Sequence, residues 1–393
     1  MNNLNSKKFN CTGCGLCSNI CPTNAIKIEH DEEGFYQFNI DEKKCIDCGL
    51  CVKKCPKINF KTKNKKEEMK AYAAYSKNKE IVSKSTSGGI FSELALQIIK
   101  ENGIVIGVSY EDDKVKHIVI DNKKDLEKLR GSKYIQSYTG NIFNIVKEKL
   151  KQNKKVLFSG TPCQCAAMRN MINNDDNLII VDIVCHGVPS YKVFEKANKD
   201  RFKEKVTKVI FRNKKNGWSN YNINYYNKDK LIKSIMHSYD EYFIGYIKNC
   251  YLMKSCYNCD FATIPRVADI SLGDFWGIET TDKDFFNKNQ DRGISLIYTN
   301  NQKGSDLFEK IKDNIVYKEE QLELSYKYNP RINNGKYSEK MIENRKNFFN
   351  NDFDTSFKSR RYTPNLKEQI IYKIKRPLVK IKRLIKKVGE LWN

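Results

Sequence analysis

KKVLFSGTPCQCAAMRNMI, residues 154 to 172, is an apolar run that stops at a glycine, restarts at Thr-Pro and changes period. The first seven residues read as a buried strand. The rest reads as a helix with Thr161 as its N-cap and Pro162 as its first residue, since Thr can accept first-turn amides and Pro lacks the amide that would go unpaired there. NLIIVDIVC, residues 177 to 185, follows as a second apolar strand. A strand, a short crossover helix and a strand should pair in parallel, so the stretch predicts an open α/β sheet. Such sheets place their sites at the carboxyl ends of strands, and the loops leaving these two strands carry Cys163 and Cys185. At a helix start, the thiolate of Cys163 is expected to be favoured by the dipole and the free amides. Cys165 is turned about 200° around the same helix and joins Met168 and Ile172 on an apolar stripe, so it reads as a packing residue.

The pattern extends outward on both sides. AYAAYSKN (71–78) reads as a strand, and SKSTSGGIFSELALQIIKENG (83–103) as a helix capped at or near Ser87. Its Ile90, Leu94, Leu96 and Ile98 face inward, Gly103 closes it, and GIVIGVSY follows as a buried strand. Downstream, residues 206–236 are β-rich, DEYFIGYIKN is helical, and a long loop carries SCYNCDF. The highly charged KTKNKKEEMK (61–70) reads as a linker. The expected organisation is 1–60, a cysteine-rich module; 61–70, the linker; 71–150 and 151–320, two parts of the α/β region; and 321–393, a helical extension with a basic tail. In fold class this is an α+β multidomain protein.

With 393 residues, 40% hydrophobic and 30% charged, the chain is apolar enough to fold. Its formal charge of +24 suggests an acidic partner, but Lys, Asn and Ile are abundant throughout, and no helix-turn-helix, zinc-finger or RNA-recognition pattern accompanies the charge. Nucleic-acid binding is excluded on that ground. No apolar run approaches the ~18–20 residues of a membrane span, and the first ten residues lack the apolar core of a signal peptide. A cytoplasmic location is expected, and fourteen cysteines in a reducing compartment argue for metal ligation over disulfides.

CTGCGLCSNICP (11–22) returns as CIDCGLCVKKCP (45–56), with the hairpin-like AIKIEHDEEGFYQFNI between the two copies. In two-cluster ferredoxins, three closely spaced thiolates wrap one cubane and the fourth cysteine reaches the other cluster. Cys11, Cys14, Cys17 and Cys55 are thereby assigned to one [4Fe-4S] cluster, and Cys45, Cys48, Cys51 and Cys21 to a second. Zinc would leave the third cysteine of each run idle. Six cysteines remain. Cys163, Cys185, Cys256 and Cys259 are the preferred ligands of a third [4Fe-4S] cluster, with Cys250 as the rival fourth ligand and buried or loop thiols as the competing reading.

Five ordered blocks then resemble a known family: STSGGIFSELA (85–95), LRGSKYIQS (129–137), VLFSGTPCQ (156–164), DIVCHGVPS (182–190), and SCYNCDF with ADISLGDFWG (255–277). They are similar to the coenzyme F420 hydrogenase/dehydrogenase beta-subunit family, with a dicluster ferredoxin module in front. The resemblance implies an α/β flavin-binding region, with FAD beside an iron–sulfur cluster. It proposes Ser87, Gly88, Gly89, Arg130, Ser132, Lys133 and Gln136 as flavin contacts. The position after GTPCQ is usually aliphatic in the family, and here it is Cys165. His186 reads either as a proton donor or as a structural residue. His30, His117 and His237 show no ligand spacing.

The tail, from Leu366, places Ile370, Ile374, Leu378, Ile381, Ile385 and Val388 on one stripe among Lys and Arg, with Pro377 as a kink. Such a helix suits peripheral contact at the inner membrane surface, and docking on the protein's own body is the competing reading. The expected function is an iron–sulfur flavoprotein oxidoreductase that takes a redox partner protein or small electron donor, and an organic two-electron substrate or a deazaflavin. The alternative is a non-catalytic electron-transfer subunit of a larger redox complex, linked to surface-polysaccharide synthesis.

Overall fold

The computed structural model describes residues 2–111, 114–289, 292–352 and 354–356; the basic amphipathic stripe of the tail lies outside them. The strands, in chain order, are β1 (Ile26–His30), β2 (Tyr36–Ile40), β3 (Lys70–Ser76), β4 (Ile104–Glu111), β5 (Lys114–Ile120), β6 (Val156–Gly160) and β7 (Leu178–Ile183). They continue as β8 (Lys208–Asn213), β9 (Asn222–Asn227), β10 (Lys230–Met236), β11 (Ile270–Asp274), β12 (Ser295–Thr299) and β13 (Ile315–Glu320).

Eight of these form one mixed sheet in the order β13-β3-β12-β11-β7-β6-β4-β5. Its centre is parallel: β6 aligns Val156 with Leu178 and Gly160 with Asp182 of β7, across the helix Pro162–Met171. β4 joins β6 in parallel, and β11 joins β7 in parallel. The flanking pairs are antiparallel. Burial on both faces explains why VLF and LIIV are continuous apolar runs without alternation. On one face Ile90, Leu94 and Ile98 pack with Leu307, Phe308 and Ile311. On the other, Phe143, Val146, Cys165 and Met168 pack on Ile106, Phe158 and Ile180. The two parts of the α/β region therefore share one sheet, and β8–β10 make a separate three-stranded sheet beside it.

The N-terminal module repeats in structure as it does in sequence. Helices Leu16–Ile20 and Leu50–Lys54 each start from a glycine in the left-handed region, Gly15 at φ 80° and Gly49 at φ 71°. Only glycine adopts that turn without a Cβ penalty. The β1–β2 hairpin turns where Asp31 Oδ1 accepts the Phe35 amide, 2.9 Å away. The module is docked on the second face of the sheet, where Cys14 and Leu16 belong to the core of Phe143 and Phe158. Reciprocal bonds secure it: Lys54 Nζ to Asn170 O (2.7 Å), Asn170 Nδ2 to Lys54 O (3.1 Å), and Thr139 Oγ1 to Cys14 O (3.0 Å). Thr62 and Asn64, in the stretch read as a linker, bond to backbone oxygens of Arg266 and Ala268.

One local expectation is sharpened and one needs correction. The cap expected at or near Ser87 is Gly89, at φ 90°, where the chain turns through the left-handed region before the helix Ile90–Lys100. Residues 329–337, placed in a helical extension, hold only a single 3-10 turn, Pro330–Ile332, and Asn258 bridges to Lys336. Among the described residues no helix is long and apolar enough to cross a membrane.

Candidate functional site

The carboxyl ends of β6, β7 and β11 open onto a cavity of about 440 Å³, within the ~300–1,000 Å³ of small-molecule sites. Its wall includes Cys163, Cys185, Cys256 and Cys259. Three distant segments bring these thiols together. Cys163 stands on the first turn of the helix that follows Gly160, where the Gln164 side chain accepts the Thr161 amide at 3.0 Å. Cys185 leaves β7, and Cys256 and Cys259 come from the loop before β11. That loop is held from behind: the Cys259 amide donates to Gly335 O at 2.9 Å, and a Cβ on Gly335 would lie 1.9 Å from Cys259 O. Gly335 is thus a site-forming residue with no signal in the sequence.

Burial pushes the Cys185 thiol up to about 11 and that of Cys256 up to about 12, and each also feels neighbouring thiols of the group. Cys163 is raised well above the usual thiol range, first by burial and then by Cys185, Cys259 and Cys14. The expectation that a helix start would favour its thiolate is overturned, because desolvation and three neighbouring sulfurs outweigh the dipole. Cys165 is fully buried, its Sγ 3.6–3.7 Å from Val181 O and Gly160 O, within the apolar core. Cys250 does not line the cavity; it packs against the cluster of Tyr251, Leu252 and Tyr257.

Among the N-terminal thiols, Cys17 is raised by burial and then by Cys14, Cys11, Cys55 and Cys51. Cys11, pushed up to about 11 by burial, also feels Cys55, and Cys14, pushed to about 12, feels Cys11 and Cys55. Cys21, Cys45, Cys48 and Cys51 line a small hollow of their own. Cys21 differs, since hydrogen bonds from Thr23, Ala25 and Ile26 outweigh its burial and lower it. Cys51 also acts on Cys17 and Cys55, so the two N-terminal groups adjoin, and the effect of Cys14 on Cys163 makes the first of them a neighbour of the deep one. The chemistry of the donors, soft sulfurs in sets of four, fits iron–sulfur clusters. Among the described residues no three His, Cys, Asp or Glu side chains are arranged to hold a metal ion as they stand.

The residues proposed for the flavin line the same cavity, with one exception. Ser87, Gly89, Arg130, Ser132, Lys133 and Gln136 are in its wall. Gly88 is turned away, its amide donating to Ser295 Oγ at 2.9 Å and its Cα so close to β3 that a Cβ would meet Ala74 O at 2.4 Å. Several side chains are partly committed: Arg130 Nε donates to Ser92 Oγ, Lys133 Nζ to Lys128 O and Arg130 O, and Gln136 Oε1 accepts the Tyr36 amide. Burial, then Lys208, brings the Lys133 amine down to about 7. Ser87 Oγ is buried and has no hydrogen-bond partner. Burial, then Arg331, holds His186 down to about 4, so the ring is neutral between Tyr246 and Tyr337, and the structural reading of this residue fits better than a proton donor.

The sequence reading missed a further wall. Arg212 is paired with Asp274 and lies over the Tyr221 ring (4.6 Å), and Trp218 stacks on Trp276 with ring centres 5.0 Å apart. Arg212, Tyr221, Asp274 and Trp276 all border the cavity.

Comparison with known proteins matches three family models in sequence order. Residues 10–59 match a 4Fe-4S dicluster domain, 71–143 the N-terminal part of the coenzyme F420 hydrogenase/dehydrogenase beta subunit, and 153–324 its C-terminal part. No curated protein matches the chain. Among solved structures, a chain of the F420-reducing [NiFe] hydrogenase complex from Methanosarcina barkeri is 20% identical over 71% of this chain and 92% of that one, with a TM-score of 0.47. From the order of the three matches and the residues that carry them, the chain belongs to the coenzyme F420 hydrogenase/dehydrogenase beta-subunit family and bears an N-terminal 4Fe-4S dicluster domain.

Proposed function

We propose that the chain is an iron–sulfur flavoprotein oxidoreductase that exchanges electrons between [4Fe-4S] clusters and FAD, and reduces or oxidises an organic substrate or a deazaflavin. When bound, clusters exchange single electrons and a flavin exchanges pairs, so the protein's task is to set spacing and electrostatics. Cys11, Cys14, Cys17 and Cys55 would hold one cluster, Cys45, Cys48, Cys51 and Cys21 a second, and Cys163, Cys185, Cys256 and Cys259 a third. Ser87, Gly89, Arg130, Ser132, Lys133 and Gln136 would hold the flavin.

The observation that carries this reading is a shared wall: the four deep thiols and most of the proposed flavin contacts border one cavity, and Cys163 is also a neighbour of Cys14. Burial of the thiols keeps them protonated and inert without a cation, which suits ligands of an enclosed metal group.

The test is the iron, sulfide and flavin content of anaerobically purified wild type, Cys163→Ala and Cys165→Ala. Wild type is expected to hold about twelve iron atoms and one flavin, on three four-iron clusters. Cys163→Ala should lose about four of those irons, and Cys165→Ala none. Equal losses in both variants, or eight irons and no flavin in wild type, would defeat the reading.

A second reading is supported by the family's description as a beta subunit: a non-catalytic electron-transfer member of a larger complex. Stable co-purification with a larger redox subunit, with no turnover by the chain alone, would favour it.

A further inference from the structure

Several cations around the deep thiols are compensated by carboxylates. Lys57 pairs with Asp260 at 2.6 Å, and the fully buried Arg266 pairs with the equally buried Asp182 at 3.0 Å. Arg212 pairs with Asp274 on the far wall. Arg331 is different. It is 8% exposed and borders the cavity. Its Nη1 donates to Asn334 O (3.0 Å) and its Nη2 to Cys256 O (3.2 Å), and its Cζ lies 4.3 Å from the centre of the Tyr337 ring. Its Nε is buried with no hydrogen-bond partner, and among the described residues no carboxylate forms an ion pair with it.

An unpaired buried guanidinium is expensive, because it cannot shed its charge and has lost its water. A fold that keeps one needs an anion nearby. Arg331 reaches the deep group directly: its Nη2 donates to Cys256 O, and it shares one cavity wall with Cys163, Cys185, Cys256 and Cys259. Four thiolates around a [4Fe-4S] core carry net negative charge, and taking up one electron adds one more. A fixed cation favours the reduced form. The N-terminal groups differ: the hollow lined by Cys21, Cys45, Cys48 and Cys51 has no Lys or Arg among the described residues of its wall, and Lys57, two residues from Cys55, is already paired with Asp260.

We propose that Arg331 is the counter-charge of the deep cluster and a positioning residue for electron transfer, holding that cluster's reduction potential above those of the two N-terminal clusters. The proposal rests on the reading that Cys163, Cys185, Cys256 and Cys259 carry a cluster.

The experiment is a redox titration of the anaerobically purified full chain, poised with dithionite and mediators and read by electron paramagnetic resonance, on wild type, Arg331→Gln and Arg331→Lys. In wild type the deep cluster, identified by its loss in Cys163→Ala, should be the first reduced. Arg331→Gln should move its midpoint to more negative potential and leave the other two in place, and Arg331→Lys should restore most of the shift. An unmoved midpoint in Arg331→Gln, or three midpoints moving together, overturns the proposal. If Arg331→Gln loses the deep iron, Arg331→Lys decides: iron retained with a near-wild-type midpoint supports a role for charge, and iron lost in both variants overturns it. Absence of a third signal in wild type removes the underlying reading, whereas a third signal indifferent to Arg331 removes this proposal alone.

Discussion

The eight N-terminal thiols and the four deep thiols both come in sets of four, yet they are assembled in opposite ways. The N-terminal ones come from two twelve-residue repeats, turned by left-handed glycines, with Cys48 exposed to solvent. Local amides serve them, as where the Gly13 amide reaches Cys11 Sγ at 3.3 Å and the Ala25 amide reaches Cys21 Sγ at 3.3 Å. The deep group is gathered from Cys163, Cys185 and the Cys256–Cys259 loop, enclosed by the sheet ends, with Arg331 against it. A site built from contiguous chain needs only a turn code, and one built from distant chain needs the whole sheet. The two should therefore fail under different perturbations.

The largest separation is expected from Gly335→Ala. The added Cβ would collide with the backbone oxygen of Cys259, so the loop carrying two deep thiols must move. The variant should lose about four irons and keep about eight on the N-terminal clusters, by iron assay and resonance spectra. Full iron content would show that the loop tolerates displacement and that the contrast is overstated.

Leu16→Ala tests the junction between the regions. Leu16 is 1% exposed and shares a core with Phe143 and Phe158, so its truncation should cost about 2–5 kcal/mol. Limited proteolysis should then release the N-terminal module before the sheet is cut. Cleavage that still starts within the sheet would mean that the docking bonds, rather than the apolar contact, hold the module.

The smallest effect concerns pH. His117 in β5 is buried, and burial lowers it from its ordinary value to about 4. Between about 4 and the unfolded-state value near 6.5, the unfolded chain binds more protons, so stability falls as pH drops through that window. His117→Phe should remove up to about 1.4 kcal/mol per pH unit of that slope, read as the difference in denaturation midpoint between pH 7 and pH 5 for variant and wild type. Parallel slopes would place the acid sensitivity elsewhere, first with His186, which burial also lowers to about 4.

The same contrast explains what was legible in the sequence. The repeat is written in the spacing of Cys11 to Cys21 and Cys45 to Cys55, since those ligands are neighbours along the chain. Cys163 and Cys185 could be brought together in advance, because parallel strands deliver their carboxyl ends to one edge, and the apolar runs of β6 and β7 declare such strands. Cys165 could be set apart by helix geometry alone. Arg331 and Gly335 could not be foreseen: one is an ordinary arginine in a polar stretch, and the other matters only because two backbones meet at Cys259. Arg212 and its tryptophans were equally silent, because a cation between aromatic rings has no sequence period.

Thr12 and Lys57 of the N-terminal module stand in the wall of the main cavity, and Gln136 fastens its floor to the β1–β2 hairpin through Tyr36. The module is therefore part of the container as well as its neighbour. Cutting the chain after residue 60 would do more than remove a carrier of electrons, since it would unroof the chamber and wet the deep sulfurs. A chain organised without this module would have to borrow the missing wall from another polypeptide, and the covalent tether here supplies that lid at a fixed, high local concentration.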